Sequence, residues 1–380
     1  MLINFPPKPI HIKFKLQLLG FESLWWADLE PMEIAPRENP DPAYIARLLI
    51  NGGRIDEEHA RALALSMLKG SLDEILIAAV LVALKVRGED PSEVRGFARA
   101  LRETCVKVRF NGVLLDTAGT GGDGLGTLNA STAAAIVAAS MGATVAKHGN
   151  RSVSGRSGSA DVMEALGYNI NHGAGVAECM LKRVGFTFLF APIYHPAMKA
   201  VMPVRRRLGV RTIFNLVGPL SNPAGAQVQV LGTPSEGVAK LIASAAEGLG
   251  YTSLLIVTGH PGIDEVSPLG STLIIEVRGS SSEEYRVDPE DLGVKRRSLR
   301  DIQVSSPSES ASRIRKAFSG HGSRADMEFI ALNAGAALYA YGLTKDLRSG
   351  VEASIQALEE GRVASFLDRI LAARSECHGA

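Results

Sequence analysis

The chain has 380 residues, 46% of them hydrophobic, with 41 basic and 40 acidic side chains and a formal net charge of +1. That length buries one large core and a smaller one. The balanced charge argues against a nucleic-acid or membrane-surface binder, and no apolar stretch approaches the ~18–20 residues that span a bilayer. Cys105, Cys179 and Cys377 are odd in number and lack paired metal spacing. They argue against a disulfide scaffold or a zinc site and fit a reducing cytoplasm.

The first 31 residues stand apart, with Pro6-Pro7-Lys8-Pro9 and an apolar, aromatic stretch ending at Trp25-Trp26 just before Met32. They lack the basic, apolar and small-residue order of a signal peptide. A start-site artefact, an ordered extension on a partner surface and a targeting segment remain open readings. Residues 1–37 are expected to form an N-terminal extension, with an unstructured chain among its possible states.

From Pro42 to about Arg109 the pattern is helical. Asp41 is a good N-cap followed by Pro42 in the first turn. Tyr44, Ile45, Leu48 and Leu49 fall at helical spacing, as do Ala60, Leu63, Ala64, Met67 and Leu68. Residues 75–84 read as a buried helix. Gly52-Gly53 and Gly70 mark helix ends.

From Val113 the pattern alternates. Short apolar strands are predicted at 113–117, 143–146, 186–190, 228–231, 254–257 and 273–276. Helical runs such as 133–141 and 237–249 separate most of them, the signature of a mostly parallel sheet with helices on both faces. Tyr285-Arg286-Val287 reads as an added hairpin strand, and Ser280 to Ser282 and Ser305-Ser306 as surface turns. Three helical runs close the chain, one over 327–341.

Between the first predicted strand and its helix lies Gly119-Thr120-Gly121-Gly122-Asp123-Gly124-Leu125-Gly126-Thr127-Leu128-Asn129-Ala130-Ser131-Thr132. Strand, glycine loop and helix start make an anion site, because free backbone N–H groups point at the ligand. Ser131 or Thr132 is expected to cap the helix. The run is neither G-x-G-x-x-G with a distant acid nor a P-loop, since no lysine follows the last glycine. The second strand delivers Lys147-His148-Gly149-Asn150-Arg151-Ser152, and Ser157-Gly158-Ser159-Ala160-Asp161 follows shortly after. This places cations and hydroxyls beside the glycine loop and points to a polyanionic small molecule. Asp264-Glu265 lie on a loop beyond a strand; spacing alone leaves a hard-cation site and a solvated acidic turn equally open. Arg205-Arg206-Arg207 reads as a basic helix face.

These runs resemble anthranilate phosphoribosyltransferases. The resemblance continues through His195-Pro196-Ala197-Met198-Lys199, Arg211-Thr212-Ile213-Phe214-Asn215-Leu216, Gly218-Pro219-Leu220-Ser221-Asn222-Pro223-Ala224 and Gly262-Ile263-Asp264-Glu265-Val266-Ser267. It covers roughly residues 40–375. It implies an α/β fold of the nucleoside phosphorylase/phosphoribosyltransferase type: a small all-helical N-terminal domain plus a large doubly wound, mostly parallel α/β domain. The implied domains are 38–112, with part of about 200–225 packed on them, and 113–380. The implied reaction transfers the phosphoribosyl group of phosphoribosyl pyrophosphate (PRPP) to the amine of anthranilate, a step of tryptophan biosynthesis, in a cytoplasmic homodimer joined through the helical domain.

The resemblance also implies residue roles. Gly119, Gly122, Asp123, Thr127, Asn129, Ser131, Thr132, Lys147, Asn150, Arg151 and Ser159 would bind PRPP. Gly119, His148, Asn150, Arg205 and Pro219 would bind anthranilate, with Arg205 facing its carboxylate. Ser131, Asp264 and Glu265 would hold Mg2+, two ions per subunit. Electrostatics and positioning would drive the chemistry. His148 is read as a positioning group, because the aromatic amine is already neutral at pH 7. A pyrimidine nucleoside phosphorylase would carry a Lys-His-Ser-Thr-Gly-Gly type loop, absent here. A nucleic-acid-binding paralogue would lose these motifs and gain net positive charge.

Overall fold

The computed structural model describes residues 41–152, 157–279 and 281–377. The readings made for the leader, with Trp25 and Trp26, lie outside the described residues. The helical layer comprises α1 (Pro42–Ile50), α2 (Glu57–Leu68), α3 (Glu74–Arg87) and α4 (Pro91–Thr104). Each is preceded by an aspartate whose carboxylate accepts a first-turn N–H: Asp41 from Ala43, Asp56 from His59, Asp73 from Ile75 and Asp90 from Ser92. This satisfies donors that the helix itself leaves free. The expected buried helix over 75–84 is corrected. Ile77, Val80, Leu81 and Leu84 of α3 are buried, but Ile75 and Val86 are 78% and 81% exposed. An apolar run carries no information on which face turns outward.

Next come β1 (Leu115–Gly119), α5 (Ala130–Ser140), β2 (Val145–Gly149), α6 (Ser159–Ala165), α7 (Ala174–Val184), β3 (Phe186–Phe190), α8 (Ala191–Tyr194), α9 (Met202–Leu208) and α10 (Ile213–Val217). The chain continues through β4 (Val228–Gly232), α11 (Glu236–Ala246), β5 (Ser253–Gly259), β6 (Thr272–Arg278) and β7 (Ser281–Val287). It closes with α12 (Leu299–Ile302), α13 (Pro307–Phe318), α14 (Arg324–Tyr341), α15 (Leu347–Glu359) and α16 (Arg362–Glu376). The closing part therefore holds more helices than the three runs expected.

Among the described residues the sheet order is β3-β2-β1-β4-β5-β6-β7. The run from β3 to β5 is parallel, and β6 and β7 are antiparallel. Strands β4 and β5 are buried along their whole length, as expected for a sheet covered on both faces. Alternate residues face opposite layers. Leu255 and Val257 join the core around α5 and α14, while Leu254 and Ile256 join the core shared with α1 to α4, α10 and α11. Phe97 of α4 meets Phe214 of α10 edge-on, with ring centroids 5.6 Å apart.

Two predicted strands slide toward their loops. The expectation over 113–117 becomes Leu115–Gly119, because the ladder to β4 runs to Gly119↔Gly232. The strand over 143–146 becomes Val145–Gly149, since Lys147 and His148 are buried despite their polarity. β7 absorbs Ser281 and Ser282, which had read as a turn. The cysteine expectation is corrected as well: Cys179 of α7 is disulfide-bonded to Cys377 just beyond α16, leaving Cys105 free and buried. An odd count excluded full pairing, not one bridge between residues far apart in sequence.

Candidate active site

The chain runs from β1 outward to β2 and β3, then returns to β4 on the other side of β1 and continues to β5. That reversal falls beyond the carboxyl ends of β1 and β4, where the crevice of such sheets usually takes its ligand. The loops after β1, β2, β4 and β5 leave the sheet at this edge.

The glycine loop is held from below by the acid pair. Thr120 N–H donates to the Gly232 carbonyl at 2.9 Å, and Gly121 N–H to Asp264 Oδ2 at 3.0 Å. Two glycines are required by shape. A Cβ on Gly119 would collide with the Asp264 carboxylate, and one on Gly122, at φ +85°, would collide with the Arg211 guanidinium. Asp123 Oδ1 turns the loop by accepting Leu125 N–H at 3.1 Å. Arg211 donates back to the Thr120 carbonyl at 3.3 Å.

Helix α5 starts at Ala130, a turn earlier than predicted, and neither Ser131 nor Thr132 caps it. Instead Glu265 Oε1 accepts Ser131 N–H at 3.0 Å. Thr132 is buried and its hydroxyl has no hydrogen-bond partner among the described residues. The Asn129 carboxamide oxygen accepts from Ser157 Oγ at 2.8 Å and Ser310 Oγ at 2.9 Å. Thr127 bridges to Gln303. There Leu128 N–H reaches the Ile302 carbonyl and Val304 N–H the Gly126 carbonyl, both at 2.8 Å. Sequence reasoning missed this 302–304 clamp, which carries no motif.

Three carboxyl groups, Asp123, Asp264 and Glu265, share this edge. Burial, then the Asp123 charge, pushes the Asp264 carboxyl up; burial, then Asp264, does the same to Glu265. The compensating cation is Lys147, whose buried ammonium donates to the Thr117 carbonyl. Burial pulls its affinity for the proton down, against the fields of Asp116, Glu265 and Asp264.

The second loop divides. Asn150 N–H donates to Ser159 Oγ at 3.2 Å, so Asn150 and Ser159 stay together beside β2. Arg151 does not face the glycine loop. Its guanidinium lies on Asp161 and Glu164 at 2.7 and 2.6 Å and over the Phe190 ring. The hydrogen bonds it donates to Glu164 and then to Asp161 raise its pKa further. Residues 153–156 lie outside the described residues.

Arg205 and Pro219 come from the return crossover, and His148 from the end of β2. Arg205 on α9 reaches Asn215 Oδ1 at 3.2 Å and stacks over Phe214 with 5.5 Å to the ring centre. Arg207 points out toward Glu74, as a basic helix face would. The Pro219 carbonyl accepts from Gln229 Nε2 at 2.9 Å. His148 packs against His195 with ring centroids 5.0 Å apart. Burial, and then the neighbouring His195, holds His148 well below the usual imidazole range, and burial lowers His195 to about 4. Among the described residues His148 Nε2, both His195 ring nitrogens and Arg205 Nε have no partner. Buried polar atoms left open in this way mark a place for a polar ligand. Sequence reasoning gave His195 no role within its motif and missed Asp116 and Asn222. The one available signal for Asp116 was an acid inside an apolar strand.

Residues 111–364 match the α/β domain of a glycosyl transferase family, and residues 43–105 match its helical bundle domain. The chain is 58% identical over 330 residues to the anthranilate phosphoribosyltransferase of Aeropyrum pernix, covering 87% of this chain and 96% of that protein. It is 52% identical over 306 residues to that of Caldivirga maquilingensis, covering 80% and 90%. The crystal structure of anthranilate phosphoribosyltransferase from Thermus thermophilus shares 42% identity and a TM-score of 0.82, covering 87% of this chain and 99% of that one. The Saccharomyces cerevisiae enzyme in complex with PRPP and Mg shares 25% identity and a TM-score of 0.80, covering 88% and 98%. With its glycine loop seated on an acid pair at the switch point of the sheet, the chain belongs to the anthranilate phosphoribosyltransferases of this glycosyl transferase family.

Proposed function

We propose that this crevice is where the chain performs its family's reaction, transfer of the phosphoribosyl group from PRPP to the amine of anthranilate, giving N-(5-phosphoribosyl)anthranilate and pyrophosphate. The reading rests on one observation. Asp264 and Glu265 grip the glycine loop through Gly121 N–H and the start of α5 through Ser131 N–H. An anion cradle and a pair of carboxylates thus share one edge, as a pyrophosphate with its cation requires.

The PRPP set is Gly119, Gly122, Asp123, Thr127, Asn129, Ser131, Thr132, Lys147, Asn150 and Ser159. Arg151 joins it only by leaving Asp161 and Glu164. Phosphate oxygens are received by loop N–H groups other than those of Thr120, Gly121 and Ser131, which Gly232, Asp264 and Glu265 hold, and Lys147 lies beside them. Arg205, packed on Phe214, takes the anthranilate carboxylate as a charge-assisted pair. Gly119, His148, Asn150 and Pro219 surround the ring. His148, buried and neutral, orients the amine and need not remove its proton, because an arylamine attacks in its neutral form.

The residues fit magnesium. Asp264 is raised by burial and then the Asp123 charge, Glu265 by burial and then Asp264, and Ser131 adds a hydroxyl beside them. Among the described residues no three acid, histidine or cysteine side chains gather into a cage. Magnesium commonly takes one or two carboxylates and completes its shell with phosphate and water. Its contribution is to neutralise charge on the departing pyrophosphate. Two ions per subunit are proposed.

The helical unit is proposed as 38–112 with part of about 200–225, and the α/β unit as 113–380. Val204 and Phe214 share a core with Leu49 and Phe97, which supports the packing of about 200–225 on the helical layer. A homodimer through the helical unit is supported by the exposed apolar residues of α3. No described helix is long and apolar enough to cross a membrane. Cytoplasmic residence is proposed; the Cys179–Cys377 bridge does not demand secretion, since disulfides also persist inside heat-adapted cells.

The test is loss of anthranilate fluorescence with PRPP and magnesium. Asp264→Asn with Glu265→Gln is expected to lower kcat at least about a hundredfold at limiting magnesium, as loss of a transition-state charge partner does. Near-normal turnover by that double variant would overturn the assignment.

A further inference from the structure

The paired register between β1 and β2 is Leu115↔Val145 alone, whereas β2 stays on β3 to Gly149↔Phe190 and β1 on β4 to Gly119↔Gly232. The two strands therefore part at the edge where the site lies, and side chains span the gap. Asp116 lies there, fully buried. Its Oδ1 accepts His148 N–H at 3.1 Å, and its Oδ2 accepts Asn222 Nδ2 at 2.8 Å. The same Asn222 amide donates to the Ala146 carbonyl at 2.8 Å, and its oxygen accepts Ala224 N–H at 2.9 Å. One carboxylate and one carboxamide thus tie the end of β2 to the loop after α10.

A buried carboxylate is costly unless every bond is in place, and an aliphatic residue would fill a strand interior without that cost. The retained acid calls for a reason beyond packing. What it joins supplies one: the β2 end presents His148, and the loop after α10 presents Pro219 three residues before Asn222.

We propose that Asp116 is a positioning residue: by holding His148 N–H and the Asn222 amide together, it sets the width of the slot that receives the anthranilate ring. The proposal rests on the assignment of His148 and Pro219 to the anthranilate pocket. Asp116 touches neither substrate and acts through the two walls.

The test uses the full chain carrying Asp116→Asn, Asn222→Ala, or both. Asp116→Asn keeps the volume but sets a donor against a donor. Each single variant is expected to raise the anthranilate KM, and the Kd from anthranilate fluorescence, about tenfold, the usual scale of a lost buried hydrogen bond. With Asn222→Ala, which leaves the Asp116 carboxylate beside Lys147, the PRPP KM stays within about twofold. The double variant is no worse than the poorer single, because both changes cut one bridge. A purely structural role would lower Tm and the active fraction while leaving both KM values in place, and that result overturns the proposal. So does an equal rise in both KM values for Asn222→Ala, or additive effects in the double variant. If Asp116→Asn fails to fold, Asn222→Ala alone carries the same expectation and the same risk. Arg205→Ala separates the two levels. It should raise the anthranilate KM selectively, by roughly thirtyfold for a lost charge-assisted pair. If it does and the bridge variants do not, the bridge is wrong; if it does not, the pocket assignment itself falls.

Discussion

His148, His172 and His195 share one physical situation: an imidazole buried where its cation is disfavoured. His172 sits between the hydroxyls of Tyr168 and Tyr194 at 3.2 and 3.3 Å, and burial followed by the Arg374 charge lowers it to about 4. Burial followed by Lys107 lowers His195 to about 4. In the unfolded chain each titrates near 6.5. Between about pH 4 and 6.5 the unfolded state therefore holds more protons, and stability rises with pH across that window. The contribution is complete at neutral pH and is lost on acidification, by about 2 kcal/mol for each of these two groups at pH 5. Urea midpoints should fall steadily from pH 7 to pH 5, and His195→Leu should flatten the slope. A pH-independent midpoint in this range would show that the rings are not held neutral by burial.

The C-terminal helix is tied down by more than packing. Cys377, just past α16, bonds to Cys179 of α7 across 198 positions of sequence. Beside it Arg374 donates to the Asn169 and Asn171 carbonyls at 3.0 and 3.3 Å. The Arg183–Glu376 pair lies half exposed and adds little in water. The bridge is the larger contribution, because it restricts the unfolded chain over a long loop; about 2–4 kcal/mol is typical. Cys377→Ser should lower the melting temperature. Reductant should bring the wild-type chain to the same value and leave the variant unmoved. A variant that melts with untreated wild type would remove the staple from the account.

Over the whole molecule, the helical layer shows water an unusual surface. Ile75, Val82 and Val86 lie seven and eleven positions apart on α3, which places them on one helix face, 78%, 41% and 81% exposed. An exposed apolar stripe of this kind marks an interaction surface. In the proposed homodimer this stripe is covered. Ile75→Lys with Val86→Glu should convert a dimer to a monomer in sedimentation, with the helical signal in circular dichroism retained. A wild-type monomer, or a dimer that survives the double change, would count against this face.

What the chain determined by itself is local. Aspartate caps, with proline following at α1 and α4, start those helices because the relevant bonds span two or three residues. The glycine loop and the Lys147–Asn150 run were legible for the same reason, since their chemistry lies in consecutive residues. The tertiary structure decided whatever depends on partners distant in sequence. Glu265 takes the Ser131 N–H that a local hydroxyl was expected to cap. Asp116 bridges His148 to Asn222, and Cys179 finds Cys377. Lys147 and His148 extend β2 because the fold buries them, although polarity alone ends the predicted strand at Ala146. A sequence window reports propensity and spacing; burial and pairing between segments remote in sequence arise only when the sheet closes and the helices pack upon it.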